Sequence, residues 1–460
     1  MKSRWPLAHS PLRAVSRAFA PLREQEQLLM ICISTVLIMA GQGVISPVLP
    51  LFAKQFGVGT AAIGLTLSSF ALARLLLNVP LGVLSDRYGR RLLLVGGPFV
   101  TAVGMIGSGF SGDIAQLLAW RFVAGAGSAM YMTGAQIYLA DISTPANRAR
   151  LIGTNQGALL LGTSVGPAIG GVVAEFWGLR APFYIVGAAA FIAMFYSYLR
   201  LPETRRAISR EARAADPVVP APPVAAAAGA RGSAAHGALA EEMSPSASVH
   251  GPAGLVIAPR RPEHAWLTMV RSRDFLAVSW VTMSVFLTRT ASRQTLLPLM
   301  ASARLGMSAG ALGAVFTMMS VVNLLLIVPA AVIADRFGRK AAIVPSGLLV
   351  AVALLMLANA NGTALFLVAA VVLGVGSGVA GPAPAAYAAD IAPPELRGLA
   401  MGLYRSSGDI GFLIGPPLLG ALADATSFGW GFGANALLVG AASLFFLFGA
   451  RETLVRASPG

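Results

Sequence analysis

Gly82 to Arg91 reads GVLSDRYGRR, and it lies between two long apolar runs. The pattern returns as AVIADRFGRK from Ala331 to Lys340. Asp86, Arg87, Gly89, Arg90 and Arg91 map onto Asp335, Arg336, Gly338, Arg339 and Lys340 at a constant shift of 249 residues. An acid, a glycine turn and a basic cluster between hydrophobic segments read as a short loop joining two membrane helices, on the side where positive charge is retained. Its return at half the chain length reads as two homologous halves.

The composition agrees. Of 460 residues, 56% are hydrophobic and only 12% charged, and the mean hydropathy is +0.72. A soluble chain carries about 25% charged residues. The formal net charge of +15 would suit a nucleic-acid partner, but most of the arginine lies in tails and loops. Inside-positive topology explains that distribution, so the expected partner is the lipid bilayer and not nucleic acid. All four histidines (His9, His236, His250, His264) lie outside the apolar runs, and Cys32 is the single cysteine. This removes histidine as an intramembrane proton carrier or metal ligand, and neither a metal nor a cofactor is expected.

Twelve spans fit: 28–50, 60–84, 92–111, 114–140, 151–174, 181–200, 275–300, 309–333, 341–360, 363–389, 399–423 and 429–450. With alternating sides, 26 Lys and Arg fall on the side of the tails and charged loops, three (Lys54, Arg180, Arg304) on the other, and five within spans. Both termini and the central loop are therefore expected in the cytoplasm, with the chain in the inner (plasma) membrane. The divisions are a cytoplasmic N-tail, 1–27, with no cleavable signal pattern; a six-helix bundle, 28–200; a linker, 201–274; a second bundle, 275–450; and a cytoplasmic C-tail, 451–460. The linker is rich in Pro, Ala and Gly and lacks apolar periodicity, so it reads as flexible spacer.

The repeat extends further at the same shift. Gly125 and Gly127 map to Gly374 and Gly376; Asp141, Pro145 and Arg148 to Asp390, Pro394 and Arg397; Gly153, Gly162, Gly166 and Pro167 to Gly402, Gly411, Gly415 and Pro416; and Glu175 to Asp424. Both halves place their charged loops on one side, so their pseudo-two-fold runs along the membrane normal and the site between them is expected near mid-membrane. Gly162, Gly166 and Gly170 recur every four residues, forming a groove for a close neighbour helix, and Pro167 bends the helix beside it. A rocking interface and static tight packing both fit that spacing.

The chain resembles a major facilitator superfamily transporter along all twelve spans. GVLSDRYGRR resembles that family's loop motif, and Arg121 with Gly125 and Gly127 its fourth-helix motif. Gly153, Gly162, Gly166, Pro167, Gly170 and Gly171 resemble the antiporter motif of the fifth helix. Gly41 with Pro47-Val48-Leu49-Pro50 resembles a first-helix pattern of twelve-helix drug–proton antiporters, and Leu201-Pro202-Glu203-Thr204 the usual end of the sixth helix. The resemblance implies that Asp86, Arg90 and Asp141, matched by Asp335, Arg339 and Asp390, form clusters that latch the halves in the outward-open state. Arg87 and Arg336 belong to the same loops. Topological anchoring is the other reading.

Charge inside a span is costly and needs a reason. The five arginines are Arg74, Arg121, Arg289, Arg293 and Arg405, and the one acid deep in a span is Asp409. Arg405 and Asp409 lie four apart, so they can pair, and Asp409 is the candidate proton carrier. Arg289 and Arg293 also lie four apart, so they need a wet cavity, a carboxylate or an anionic substrate; Arg293 can also snorkel outward. No acid stands in the core of the first or fourth span, which leaves anionic and neutral amphiphiles open as substrates. Tyr131 with Met130 and Met132 could line a pliable pocket. The expectation is a monomeric, proton-coupled efflux antiporter of small amphiphilic compounds working by rocker-switch alternating access. The alternatives are uptake or exchange of an organic anion and a transporter-like receptor; no catalytic constellation suggests an enzyme.

Overall fold

The computed structural model describes residues 11–144, 147–201, 265–380, 383–393 and 396–453. Pro145, Pro394 and most of the expected linker, 202–264, lie outside them. The helices are α1 (Pro11–Lys54), α2 (Thr60–Tyr88), α3 (Arg90–Phe110), α4 (Ile114–Ile142), α5 (Arg148–Trp177), α6 (Ala181–Arg200), α7 (Ala265–Arg271) and α8 (Arg273–Leu287). A π-helical segment (Thr288–Leu296) follows, then α9 (Leu297–Leu305), α10 (Ala309–Phe337), α11 (Arg339–Ala358), α12 (Thr363–Ala380), α13 (Ala383–Ile391), α14 (Arg397–Ala425) and α15 (Phe428–Gly449). In lipid only intrasegment hydrogen bonds satisfy the backbone, so long apolar runs become helices.

Nine helical stretches among the described residues are long and apolar enough to cross a membrane. The expected spans outside those nine are 114–140, 275–300 and 399–423. They hold Arg121, Arg289, Arg293, Arg405 and Asp409, whereas Arg74 lies within the apolar stretch Thr60–Asn78; 275–300 is interrupted by the π segment, so no single long α-helix covers it. The seventh span is continuous through α8, the π segment and α9.

The repeat is visible in the packing. In the first half α1 packs on α5 and α6, α3 on α4 and α6, and α2 on α4. In the second half α8 packs on α14 and α15, α11 on α12 and α15, and α10 on α12. These are two six-helix bundles related by a pseudo-two-fold along the membrane normal. The turn that ends α2 is made by Gly89 at φ 100°, and its mate Gly338 has φ 104°. With ψ near 160° both occupy a region nearly closed to side chains, which is why the loop motif contains glycine there. Large apolar side chains such as Phe99, Phe195, Leu325 and Phe448 face outward and supply a lipid-facing surface.

The halves meet through α5 against α10 and α2 against α14. Gly171 faces Gly313 so closely that a Cβ on either would lie 2.7 Å from the other's Cα. At the equivalent contact Gly64 lies against Pro416 and Pro417, and Gly420 against Thr60 and Ala61. Ser68 Oγ adds a bond to the Leu413 carbonyl at 2.5 Å. These contacts all lie away from the charged loops. Toward the loops the same helices part: a Cβ on Gly153 or Gly157 of α5, or on Gly398 or Gly402 of α14, would meet nothing within 4 Å.

Candidate functional site

A cavity of ≈ 400 Å³ lies between the halves. The first half lines it with Gln42 and Ser46 of α1 and Gln156, Thr163 and Ser164 of α5. The second half contributes Phe286, Arg289, Arg293, Phe316, Ser320 and Asn323. The two arginines project from the π segment, whose wide turns recur at functional sites. Threonine and serine hold that segment open: Thr295 Oγ1 donates to the Thr290 carbonyl at 2.9 Å. Asn435 of α15 donates from Nδ2 to Ser292 Oγ at 2.6 Å and to Thr288 Oγ1 at 3.1 Å.

Arg293 is positioned. Its Nη2 donates to Ser320 Oγ at 3.1 Å, and its guanidinium lies 5.7 Å from the Phe316 ring centre. Arg289 has no hydrogen-bond or ion-pair partner among the described residues, and it is exposed to the cavity.

Beside the cavity, Arg74 of α2 interacts electrostatically with Asp409 and Arg405 of α14, and Arg289 with Arg74. Asp409 feels Arg74 more than Arg405. Arg405 and Asp409, expected as a pair, make no direct ion pair among the described residues. The carboxylate's stronger cationic neighbour comes from the opposite half, a partner that spacing along one helix cannot reveal.

Arg121 and Tyr131 lie elsewhere. Arg121 is 4% exposed within the first bundle, its guanidinium 4.7 Å from the Phe70 ring centre and its Nη1 3.9 Å from Met105 Sδ. Tyr131 is fully buried, donates to the Ile31 carbonyl at 3.0 Å and meets Thr35 Oγ1 at 2.9 Å. Neither lines the cavity. The glycine groove of α5 is filled by α1 of the same bundle: Gly162 and Gly166 face Ala40, and Gly166 and Gly170 face Val44. Of the motif residues, Pro167 and Gly171, both against Gly313, reach the other half.

The two charge clusters form at the charged-loop side. Arg90 Nη2 lies 3.2 Å from Asp86 Oδ1, and its Nε 2.8 Å from Asp141 Oδ2. Arg339 meets Asp335 at 2.6 Å and Asp390 at 3.2 Å. Arg87 and Arg336 stand in the last turns of α2 and α10. Every bond named here stays within one half. The chain end completes the second cluster: Glu452 accepts from Arg339 N and Lys340 N, and Thr453 Oγ1 donates to Asp390.

On the far side, two acids do bridge the halves. Asp424 of α14 accepts from Thr60 N at 2.8 Å and Ala61 N at 2.9 Å, capping α2. Glu175 of α5 accepts from Gly310 N at 3.0 Å, capping α10. The acids are equivalent in the repeat, and so are the helix starts they cap. A carboxylate at a helix N-terminus takes up otherwise unpaired N–H groups and meets the positive end of the helix dipole. The sequence contained this signal as the Glu175–Asp424 match; which helix each acid reaches was not legible.

A sequence profile of the Major Facilitator Superfamily matches residues 31–299 and 283–460. The chain belongs to the Major Facilitator Superfamily. Its family and fold are those of a multi-pass membrane transporter and not of an enzyme. It is 34% identical over 177 residues to an uncharacterized transporter of this superfamily from Methanocaldococcus jannaschii, covering 38% of this chain and 46% of that one. It is 29% identical to multidrug resistance protein 2 of Bacillus subtilis (40% and 46% covered) and 28% identical to the quinolone resistance protein NorA of Staphylococcus aureus (39% and 46%). The matches thus span about half the length of these relatives. Solved structures share the fold, and two of them serve for comparison. A bacterial homolog of the human lysosomal transporter Spinster, inward-facing and occupied, has TM-score 0.67 at 16% identity over 92% of this chain and 94% of that one. The human organic anion transporter MFSD10 has TM-score 0.59 at 17% identity over 92% and 99%.

Proposed function

We propose that this superfamily member is a proton-coupled transporter that exports small amphiphilic compounds by alternating access, with Asp409 as the proton site. The basic loops support a cytoplasmic charged-loop side, and on that reading the cavity opens inward and the sealed side faces outward. Likeness over about half their length to multidrug and quinolone resistance proteins supports export. The observation that carries the coupling is the position of Asp409 on a contact helix, where it interacts electrostatically with Arg74 of the other half. Protonating it removes an attraction between the halves, so the proton biases which way the cavity opens. Reconstituted Asp409→Asn is expected to lose pH-driven transport while substrate binding persists. Continued extrusion of substrate against its gradient on an imposed pH difference would reduce Asp409 to a structural partner of Arg74.

One observation favours a second reading, uptake or exchange of an organic anion. The cavity lining carries two arginines and no carboxylate. An anion competes with the Asp409 carboxylate for the same cations, so proton and anion load together; exchange of proton for substrate needs the opposite linkage.

A further inference from the structure

The charge of the cavity identifies the chemistry of its occupant. Arg289 and Arg293 are the charged side chains of its lining. Arg293 is fixed by Ser320 and the Phe316 ring, whereas Arg289 points into the cavity without a partner. Arg74 adds a third positive charge that acts on Arg289; among the described residues Asp409, outside the lining, is the acid that acts on Arg74, and Arg405 is a further cation there. Cations held in a low-dielectric region strengthen one another's field and attract an opposite charge far more than they would in water. An unpaired guanidinium at membrane depth is retained for a partner. The wall across the cavity offers neutral donors and acceptors, Gln42, Ser46 and Gln156, and apolar surface comes from Leu160 and Phe286.

We propose that the cavity binds an aromatic or aliphatic compound bearing one oxyanion, a carboxylate or sulfonate, with that group against Arg289 and Arg293 and its apolar body between Leu160 and Phe286. This rests on the second reading above. Guanidinium matches the two oxygens of such a group with paired N–H donors, which an ammonium cannot do. The volume of ≈ 400 Å³ admits a small one- or two-ring body. A cationic compound meets two like charges and no carboxylate in the lining, so the site discriminates against the substrates that an acid-lined exporter would take.

The test is equilibrium binding to the purified full chain in nanodiscs, with three probes of one shape: 2-naphthalenesulfonate, 2-naphthalenesulfonamide and 2-naphthylmethylammonium. The sulfonate is expected to bind at least tenfold more tightly than the other two, and more weakly as salt rises. Arg289→Gln is expected to lower sulfonate affinity at least tenfold with sulfonamide affinity unchanged, and Arg289→Lys to restore part of the loss. Equal or tighter binding of the ammonium probe, no saturable sulfonate binding, or an unchanged affinity in a folded Arg289→Gln protein would each overturn the proposal. The order of the three probes on the wild type decides the matter even where a variant does not fold. No pH gradient is involved, so proton coupling at Asp409 stands or fails separately.

Discussion

Gly338 turns the chain from α10 into α11 at φ 104°, and a Cβ placed there would lie 2.6 Å from the Glu452 carboxylate. That carboxylate accepts from the next two backbone N–H groups. Alanine at this position therefore strains the backbone, at about 1–3 kcal/mol, and displaces the cap. Gly338→Ala is expected to lower the midpoint of thermal unfolding in detergent by several degrees; an unchanged midpoint would remove glycine's conformational freedom from the explanation. The requirement for glycine was legible in the sequence, because the motif repeats it at the same place. The contact with Glu452 was not, since nothing local links that residue to Arg339, 113 positions away.

α5 and α14 each do two things along one length. Gly162 and Gly166 of α5 pack on α1, and Gly411 and Gly415 of α14 on α8, within each bundle. Further along, Gly171 and Gly420 touch the opposite half, while Gly153 and Gly402 face open space. The spacing of four residues showed a close-packing face. It could not say that the neighbour would be α1, nor that the glycine one residue later would face the other half. Gly171→Val puts bulk against the Gly313 backbone, where no flexible side chain can yield. The outer contact between α5 and α10 is then expected to open, seen as a longer spin-label distance across that side. An unchanged distance distribution would show that this contact does not hold the halves together.

Across the whole molecule, the far side is held by two equivalent acids and two small-residue contacts, and the charged-loop side is free to part. Burial pushes the Asp424 carboxyl up, but the bonds it accepts from Ala61 and Thr60 outweigh burial and hold it below the ordinary carboxylate range. A lowered value means that the clamp is fully present above the ordinary carboxylate pKa and is lost only as pH falls through the lower one. The outer seal is therefore expected to be indifferent to pH between about 5 and 8, because an unperturbed Asp already titrates near 3.9. Asp424→Asn keeps one acceptor oxygen but removes the charge. It is expected to raise the reactivity of a cysteine placed in the cavity toward an impermeant reagent added outside intact cells. Unchanged reactivity in a well-expressed variant, or a seal that opens in the wild type at pH 6, would show that the clamp works otherwise.

By itself the sequence determined the solvent, the helix count, the two-fold repeat and the family. These depend on hydropathy, loop charge and recurring motifs, all of which are properties of neighbouring residues or of a fixed shift along the chain. It also marked the intramembrane charges, because the cost of each in lipid requires a reason. The tertiary structure decided which charges share a place. It set Arg74 beside Asp409, turned Arg289 and Arg293 into the cavity from a π segment, buried Arg121 against Phe70, and gave Asp424 and Glu175 the helix starts of the opposite half. Those relations join helices far apart in the chain, and their distances follow from how two bundles dock, which no local pattern encodes.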